Sequence, residues 1–158
     1  MPFIVELIHC FFLDFRAGRR KIRAESAGKK VVNFFSYTCG IGVAAAGGAK
    51  EVLNVDFANH ALSIGQANAQ LNGCTTEQFQ TLQDDAMLVL RQFSGLGVKG
   101  KAARRSYVAR SARLFDIVVL DPPRYAKSPF GIVDTVQDYH NQCSNQRCFV
   151  ANQVDECW

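Results

Sequence analysis

The sequence predicts an α/β fold in which a partial, Rossmann-like parallel sheet carries helices on both faces. Short apolar, β-branched runs alternate with segments of helical composition, and polar or small residues follow each run. Neighbouring parallel strands need a crossover between them, which the helical segments would supply. We expect the strands at residues 30–35, 51–56, 79–82 and 114–120.

The predicted helices lie at 43–46, 58–71 and 86–93, and glycine-containing turns end the first two. A short strand at 11–14 and a short helix at 19–27 are expected ahead of the sheet. Each helix therefore falls between two strands or before the first one, as a βαβ arrangement requires.

The chain is predicted to contain one domain with a short segment on either side. Residues 1–29 form a leading segment, 30–139 form the ligand-binding domain, and 140–158 form a tail without helical or strand periodicity. Four strands are fewer than a doubly wound sheet usually has. We therefore expect the domain to be incomplete.

Composition places the chain among globular proteins, since 48% of its 158 residues are hydrophobic and 20% are charged. Arg16, Arg19 and Arg20 interrupt the first apolar stretch before it reaches the roughly 18 residues of a membrane span. The six cysteines show no repeated CxxC spacing, which indicates free thiols in a reducing cytoplasm. We expect a cytoplasmic protein with no membrane partner and no metal. The sequence is silent on oligomeric state.

The formal net charge of +4 is concentrated in two stretches, residues 16–30 and 99–113. Such stretches permit a polyanionic partner such as RNA. A solvated basic surface is the alternative interpretation.

A small-residue turn from Ser36 to Gly42 follows the first strand. Gly40 and Gly42 allow a ligand to approach the backbone, and the amides of the next helix offer hydrogen-bond donors. A tight connection between strand and helix is the alternative. Taken with the acidic residues below, the turn is predicted to bind ligand.

Acidic residues end the next two strands. Asp56 is placed where a carboxylate can accept both hydroxyls of an adenosine ribose, with Phe57 beside it. The alternative is that Asp56 is a helix N-cap. Asp84 and Asp85 end the third strand, where a carboxylate can accept the exocyclic amine of adenine. We favour Asp85 for this role, and a solvated helix start is the alternative.

The strand at 114–120 ends in Asp121, Pro122 and Pro123. Two prolines hold an extended, rigid loop that presents the aspartate and nearby carbonyls to a planar substrate. A loop that merely ends the strand is the alternative. No GxGxxG follows the first strand, so a nicotinamide-dependent dehydrogenase is not favoured.

Several motifs together resemble the 23S rRNA cytosine-5 methyltransferase family and its close class I relatives, over roughly residues 11–139. The stretches concerned are FLDFRAGR at 12–19, NFFSYT at 33–38, Val55-Asp56, Leu71-Asn72-Gly73 and DPPRYAK at 121–127. The resemblance implies a class I methyltransferase fold, S-adenosylmethionine as cofactor, and ribosomal RNA as substrate. In these enzymes a base is flipped out to meet the methyl group.

The same resemblance implies roles for individual residues. Arg16, Ser36, Tyr37 and Thr38 would line the methionine end of the cofactor, together with the Gly40 turn. Asp56 and Phe57 would hold the ribose side, Asp84 and Asp85 the adenine side, and Asp121, Pro122 and Pro123 the catalytic, substrate-facing side. Asp121 would also contact the cofactor. A phosphate or surface contact is the alternative for Arg16, and core packing is the alternative for Tyr37.

This chain also departs from the family pattern. The stretch from Thr38 to Gly47 is about one residue shorter, and no later strand, nucleophilic cysteine or accessory RNA-binding domain is recognisable. Cys143 and Cys148 fit no family motif. We therefore expect a truncated chain that does not methylate RNA by itself, because its last central strand would remain uncovered.

Three functional interpretations remain open. The first is methylation of a 23S rRNA cytosine, which Arg124 favours because it separates the double proline from Tyr125, unlike the motif typical of adenine amino-methylation. The second is a catalytically silent fragment that at most binds cofactor. The third is a methyltransferase with a protein or small-molecule acceptor.

Overall fold

The computed structural model describes residues 15–98, 104 and 106–122, and the backbone of 125–128 and 131–134. The helices are α1 (Arg16–Glu25), α2 (Gly40–Ala46), α3 (Asn59–Leu71) and α4 (Ala86–Phe93). The strands are β1 (Lys30–Phe34), β2 (Glu51–Asp56), β3 (Phe79–Gln83), β4 (Ile117–Leu120), β5 (Tyr125–Ser128) and β6 (Gly131–Asp134). The predicted strand at 11–14, the tail at 140–158 and its cysteines lie outside the described residues.

The first four strands form one parallel sheet in the order β3-β2-β1-β4. The chain moves outward from β1 to β3 and then returns to the other side of β1. Strand order therefore reverses between β1 and β4, and ligands of doubly wound sheets bind at such a switch point. Phe34 pairs with both Val55 and Leu120, so the carboxyl ends of three strands meet at one rim. The predicted parallel sheet is confirmed.

Helices cover both faces of this sheet because its strands carry apolar side chains on both sides. Val31 packs in a core cluster with Ala45 of α2 and Leu62 of α3. Val32, on the opposite face, packs in a second cluster with Val89 of α4. The predicted helices on both faces are thus confirmed.

Three elements begin three residues away from their predicted starts, and the other boundaries differ by two residues at most. α1 begins at Arg16 rather than at residue 19, and α2 begins at Gly40 rather than at 43. β4 begins at Ile117 rather than at 114. Just before it, Asp116 Oδ2 accepts the Lys30 N–H at 2.8 Å, and the Asp116 N–H donates to the Lys30 carbonyl at 2.9 Å.

The hairpin of β5 and β6 was not predicted from the sequence. The two strands pair antiparallel, with Tyr125 opposite Asp134 and Ser128 opposite Gly131. Strands this short carry little periodicity. Pro129 and Gly131, both turn-forming residues, were the available signal.

A chain of buried amides crosses β1, β2 and β3. Asn33 Nδ2 donates to Asn54 Oδ1 at 3.1 Å, and Asn54 Nδ2 donates to the Gln80 carbonyl at 3.2 Å. Gly42 of α2 lies over this chain, and a Cβ on Gly42 would stand 2.0 Å from Asn54 Oδ1. Position 42 of the helix is therefore occupied by glycine, because a side chain there would displace the Asn54 amide.

Cys39 is a second buried polar group between the sheet and α3. Its thiol is fully buried, and a Cβ on Gly65 of α3 would lie 2.4 Å from its Sγ. Burial raises the pKa of Cys39 to about 12, with a smaller raising effect from Asp56 and a lowering effect from the hydrogen bond with Ser36. Cys39 is thus a packing residue that remains a thiol at neutral pH.

Two absences hold for the described part of the chain. No helix there is long and apolar enough to cross a membrane. The same residues contain no group of three or more His, Cys, Asp or Glu side chains that could hold a metal ion.

Gly42→Ala is expected to lower the free energy of unfolding by about 1–3 kcal/mol, because the added methyl must displace the Asn54 amide in a packed core. Urea denaturation measures the change. Gly97→Ala is the matched control, since nothing lies within 4 Å of the Cβ position at Gly97, and it should change stability by less than about 0.5 kcal/mol. Equal effects of the two substitutions would contradict the role assigned to Gly42.

Cys39 is expected to resist alkylation by iodoacetamide at pH 8 in the native protein, because the attacking species is the thiolate. Cys74, which is only partly buried, should react first. Peptide mapping by mass spectrometry after a timed reaction measures both residues, and the same reaction in urea should modify both. Rapid native labelling of Cys39 would show that the loop before α2 opens readily.

Candidate cofactor site

The carboxyl rim of the sheet brings together the residues that the sequence singled out. Asp56 ends β2 opposite Gln83 of β3, and Ser36 follows β1 between β2 and β4. Asp121 follows Leu120 of β4. The loops after all four parallel strands therefore converge on one edge of the sheet.

The loop after β1 holds an unusual backbone conformation. Phe35, Tyr37 and Cys39 have φ values of 56°, 48° and 60°, although none is glycine. Each such residue costs of the order of 1–3 kcal/mol and persists only where surrounding contacts enforce it. Such outliers cluster at ligand sites, which agrees with the prediction that this turn binds ligand.

Asp56 is the contact that fixes this loop. Its Oδ2 accepts the Tyr37 N–H at 2.8 Å, and its Oδ1 accepts the Ala58 N–H at 2.9 Å. Ala58, and not Asp56, is the N-cap residue of α3, so the N-cap alternative for Asp56 does not hold. Each carboxylate oxygen has a further lone pair, and Asp56 can therefore accept ligand hydroxyls without releasing the loop.

Asp84 and Asp85 have different environments although they are adjacent. Asp85 caps α4, because its Oδ1 accepts the N–H groups of Met87 and Leu88. The Asp85 residue is buried, and its Oδ2 has no hydrogen-bond partner among the described residues. A buried acceptor without a donor is costly. A ligand N–H group, such as an adenine amine, would satisfy it.

Asp84 is engaged with the protein itself. Its Oδ2 forms an ion pair with the Arg110 guanidinium at 2.6 Å, and its Oδ1 accepts the Asp85 N–H at 2.8 Å. The alternative for this pair was a solvated helix start. Asp85 does start the helix, because it caps α4, but it is buried and therefore not solvated.

Two aromatic side chains are exposed at the rim beside Asp56. Phe57 has 63% of its surface exposed and Tyr37 has 40%, so the core-packing alternative for Tyr37 does not hold. Aromatic faces next to a buried carboxylate suit a ligand that combines a planar base with polar groups. Ser36 and Thr38, by contrast, are buried.

Arg16 and Asp121 are the exposed charged members of the predicted set. Arg16 begins α1, whose C-terminal end lies against the C-terminal end of α2, since the Gly28 N–H donates to the Gly48 carbonyl at 2.9 Å. The two helices pack together, and Arg16 is at the opposite end of α1 from this contact. Pro122 is half-buried, and Pro123 lies outside the described residues.

Arg110 and Asn33 are polar residues near this rim that sequence reasoning missed. Arg110 belongs to a connection whose basic residues indicated only a charged surface. Asn33 lies within an apolar strand, where the lone amide was the available signal. Within the described residues, the buried Asn33 Oδ1 has no hydrogen-bond partner.

Comparison with known proteins agrees with this architecture. Residues 6–146 match the family model of the S-adenosylmethionine-dependent methyltransferases. The ribosomal RNA large subunit methyltransferase I of Aeromonas hydrophila is 38% identical over 130 residues, which cover 82% of this chain and 29% of that protein. The chain therefore spans under a third of the length of this relative.

Solved structures show the same fold. SMU.776, a methyltransferase solved in complex with SAH, superposes with a TM-score of 0.64 at 31% identity, over 83% of this chain and 31% of its own. A SAM-dependent methyltransferase from Agrobacterium tumefaciens gives a TM-score of 0.62 at 22% identity, over 80% of this chain and 37% of its own; at that identity it supports the fold alone. Parallel sheet, rim and family match agree, and the chain belongs to the S-adenosylmethionine-dependent methyltransferase family.

Proposed function

We propose that this chain forms the cofactor-binding part of a methyltransferase that acts on ribosomal RNA of the large subunit, at a cytosine. The observation that carries the cofactor assignment is the pair of buried carboxylates at the ends of β2 and β3, Asp56 and Asp85. The acceptor is supported by the name of the Aeromonas relative. Its identity as cytosine rests on the sequence resemblance, including Arg124.

The adenosine half of S-adenosylmethionine fits the polar atoms of the rim. Asp56 would accept the ribose hydroxyls, and Asp85 Oδ2 would accept the adenine amine. The exposed ring of Phe57 would lie against the base. These three residues occupy adjacent strand ends, as a ribose and its base require.

The methionine half would lie along the loop after β1. Ser36, Tyr37, Thr38 and Gly40 belong to this loop, and α2 begins at Gly40, so its first N–H groups can donate to a carboxylate. Arg16 would add a positive charge on the same side. Because the Tyr37 N–H is held by Asp56, the two halves of the site are connected through one hydrogen bond.

The bound cofactor supplies an activated methyl group on its sulfonium. The chain's part in the reaction is to hold the cofactor and to orient the acceptor base so that its reacting atom lines up with that group. Asp121, exposed after β4 beside the switch point, would accept a hydrogen bond from the base, and Pro122 and Pro123 would fix the loop that carries it.

Methylation of a cytosine ring carbon also needs a thiolate that first adds to the ring. Cys39 does not fit, because it is buried and its pKa is raised to about 12. Burial also raises the pKa of Cys74, which lies beyond the C-terminal end of α3, away from the rim. The nucleophile is therefore not one of the cysteines in the described residues.

Asp56→Asn is expected to weaken S-adenosylhomocysteine binding by about 10- to 100-fold, since a hydrogen bond to a charged acceptor contributes roughly 1.5–3 kcal/mol. Isothermal titration calorimetry measures the dissociation constant. Asp116→Asn is the matched control, because Asp116 also accepts a backbone N–H but lies at the other end of the sheet. Unchanged affinity in Asp56→Asn would reduce Asp56 to an anchor of the loop.

The acceptor is tested with tritiated S-adenosylmethionine and 23S rRNA, followed by digestion to nucleosides. Tritium in 5-methylcytidine would support the cytosine assignment, and Asp121→Ala should abolish it. Tritium in another nucleoside would replace that assignment. Retained cofactor binding without any transfer would favour the alternative of a catalytically silent fragment.

A further inference from the structure

The connection between α4 and β4 carries two arginines that form ion pairs at opposite ends of the sheet. Arg110 pairs with Asp84, which follows β3 at the carboxyl rim. Arg113 pairs with Glu51, the first residue of β2, at the amino end. Both arginines belong to one segment, but the Arg110 contact lies at the proposed cofactor site and the Arg113 contact lies at the other end of the sheet.

Asp84 connects the two proposed cofactor carboxylates. Its own N–H donates to the Asp56 carbonyl at 3.0 Å. Its Oδ1 accepts the Asp85 N–H at 2.8 Å. The remaining oxygen, Oδ2, is the one that Arg110 holds at 2.6 Å. The position of Asp84 therefore affects how the Asp85 carboxylate is presented at the rim.

Arg110 is held at both of its ends. Its backbone N–H donates to Gln92 Oε1 at 2.8 Å, and its guanidinium reaches Asp84. Gln92 is buried on α4, the helix that Asp85 caps. Arg110 thus links Gln92, near the C-terminal end of α4, to Asp84, which stands between β3 and the start of that helix.

This arrangement argues against a direct role for Arg110 in binding RNA phosphates. Only 21% of its side chain is exposed, and its partner Asp84 is similarly covered. Disrupting this half-buried ion pair has a cost, because removing one charge leaves the other without a partner. The guanidinium is therefore engaged in holding Asp84.

We propose that Arg110 is a positioning residue for the adenine end of the cofactor site. By holding Asp84, it keeps Asp85 Oδ2, which has no partner within the described residues, aimed at the exocyclic amine of the base. The inference rests on the proposed function, in which Asp85 accepts that amine. It adds that recognition of the amine depends on a residue of the α4–β4 connection that does not touch the cofactor.

The test compares S-adenosylhomocysteine with S-inosylhomocysteine, in which a carbonyl oxygen replaces the amine. The wild-type protein should bind the adenine compound at least about 10-fold more tightly, because the analogue places a carbonyl oxygen, which is an acceptor, where the amine would donate to Asp85 Oδ2. Arg110→Met should weaken binding of the adenine compound about 10-fold and change binding of the analogue by less than about 3-fold. The preference for the amine would then be largely lost.

Arg113→Met is the matched control. It removes an ion pair of the same segment, so it should lower the urea midpoint as Arg110→Met does, but the ratio of the two dissociation constants should stay at the wild-type value. Arg110→Lys should restore part of that ratio, since an ammonium can still reach a carboxylate. If Arg110→Met does not fold, Arg110→Lys and Asp84→Asn test the proposal instead. Both should show a smaller preference for the adenine compound over the analogue than the wild-type protein.

The outcomes separate the two proposals. A wild-type protein that does not bind S-adenosylhomocysteine would overturn the proposed function and this inference with it. A wild-type protein that binds and discriminates, together with folded Arg110 variants that keep the full ratio, would overturn the inference alone. An equal loss of affinity for both compounds would show that Arg110 is only structural.

Discussion

The geometry of the rim depends on one carboxylate. Asp56 accepts a backbone N–H from the loop after β1 and another from the turn before α3. The first of these loops contains three residues with left-handed φ values, a conformation that local preferences oppose. Without Asp56 the Tyr37 N–H would lose this acceptor, and the start of α2 would lose that support.

The same dependence explains why the proposed ligand contacts are so closely connected. A ribose held by Asp56 would meet an oxygen that already orients the Tyr37 amide, and Asp84 carries the connection onward through its backbone to Asp85. Ligand binding at Asp56 would therefore affect the Tyr37 loop and Asp85 through short chains of hydrogen bonds. The edge of the sheet is better understood as one network than as separate contacts.

Much of the fold was accessible from the sequence because its signals are local. Alternating apolar runs located all four parallel strands, and the polar residues that follow them located the rim. The start of α2 was misplaced because Gly40 and Gly42 are also the signature of a turn, and the close approach of Asn54 that requires a glycine at position 42 is a tertiary contact. Arg110 was missed for the same reason, since its partner Asp84 is 26 positions away along the chain. Composition cannot separate a half-buried, paired arginine from an exposed one.

The amide chain through Asn33, Asn54 and the Gln80 carbonyl has a consequence for how the strands find each other. Runs of valine and leucine pair almost equally well in several registers, whereas a slip of one residue would turn each amide toward the opposite, aliphatic face of the sheet. Burying these groups lowers the stability that an all-apolar sheet could reach. In return, β1 and β2 have a single favourable alignment, and that alignment places the end of β2 beside the loop that Asp56 must hold.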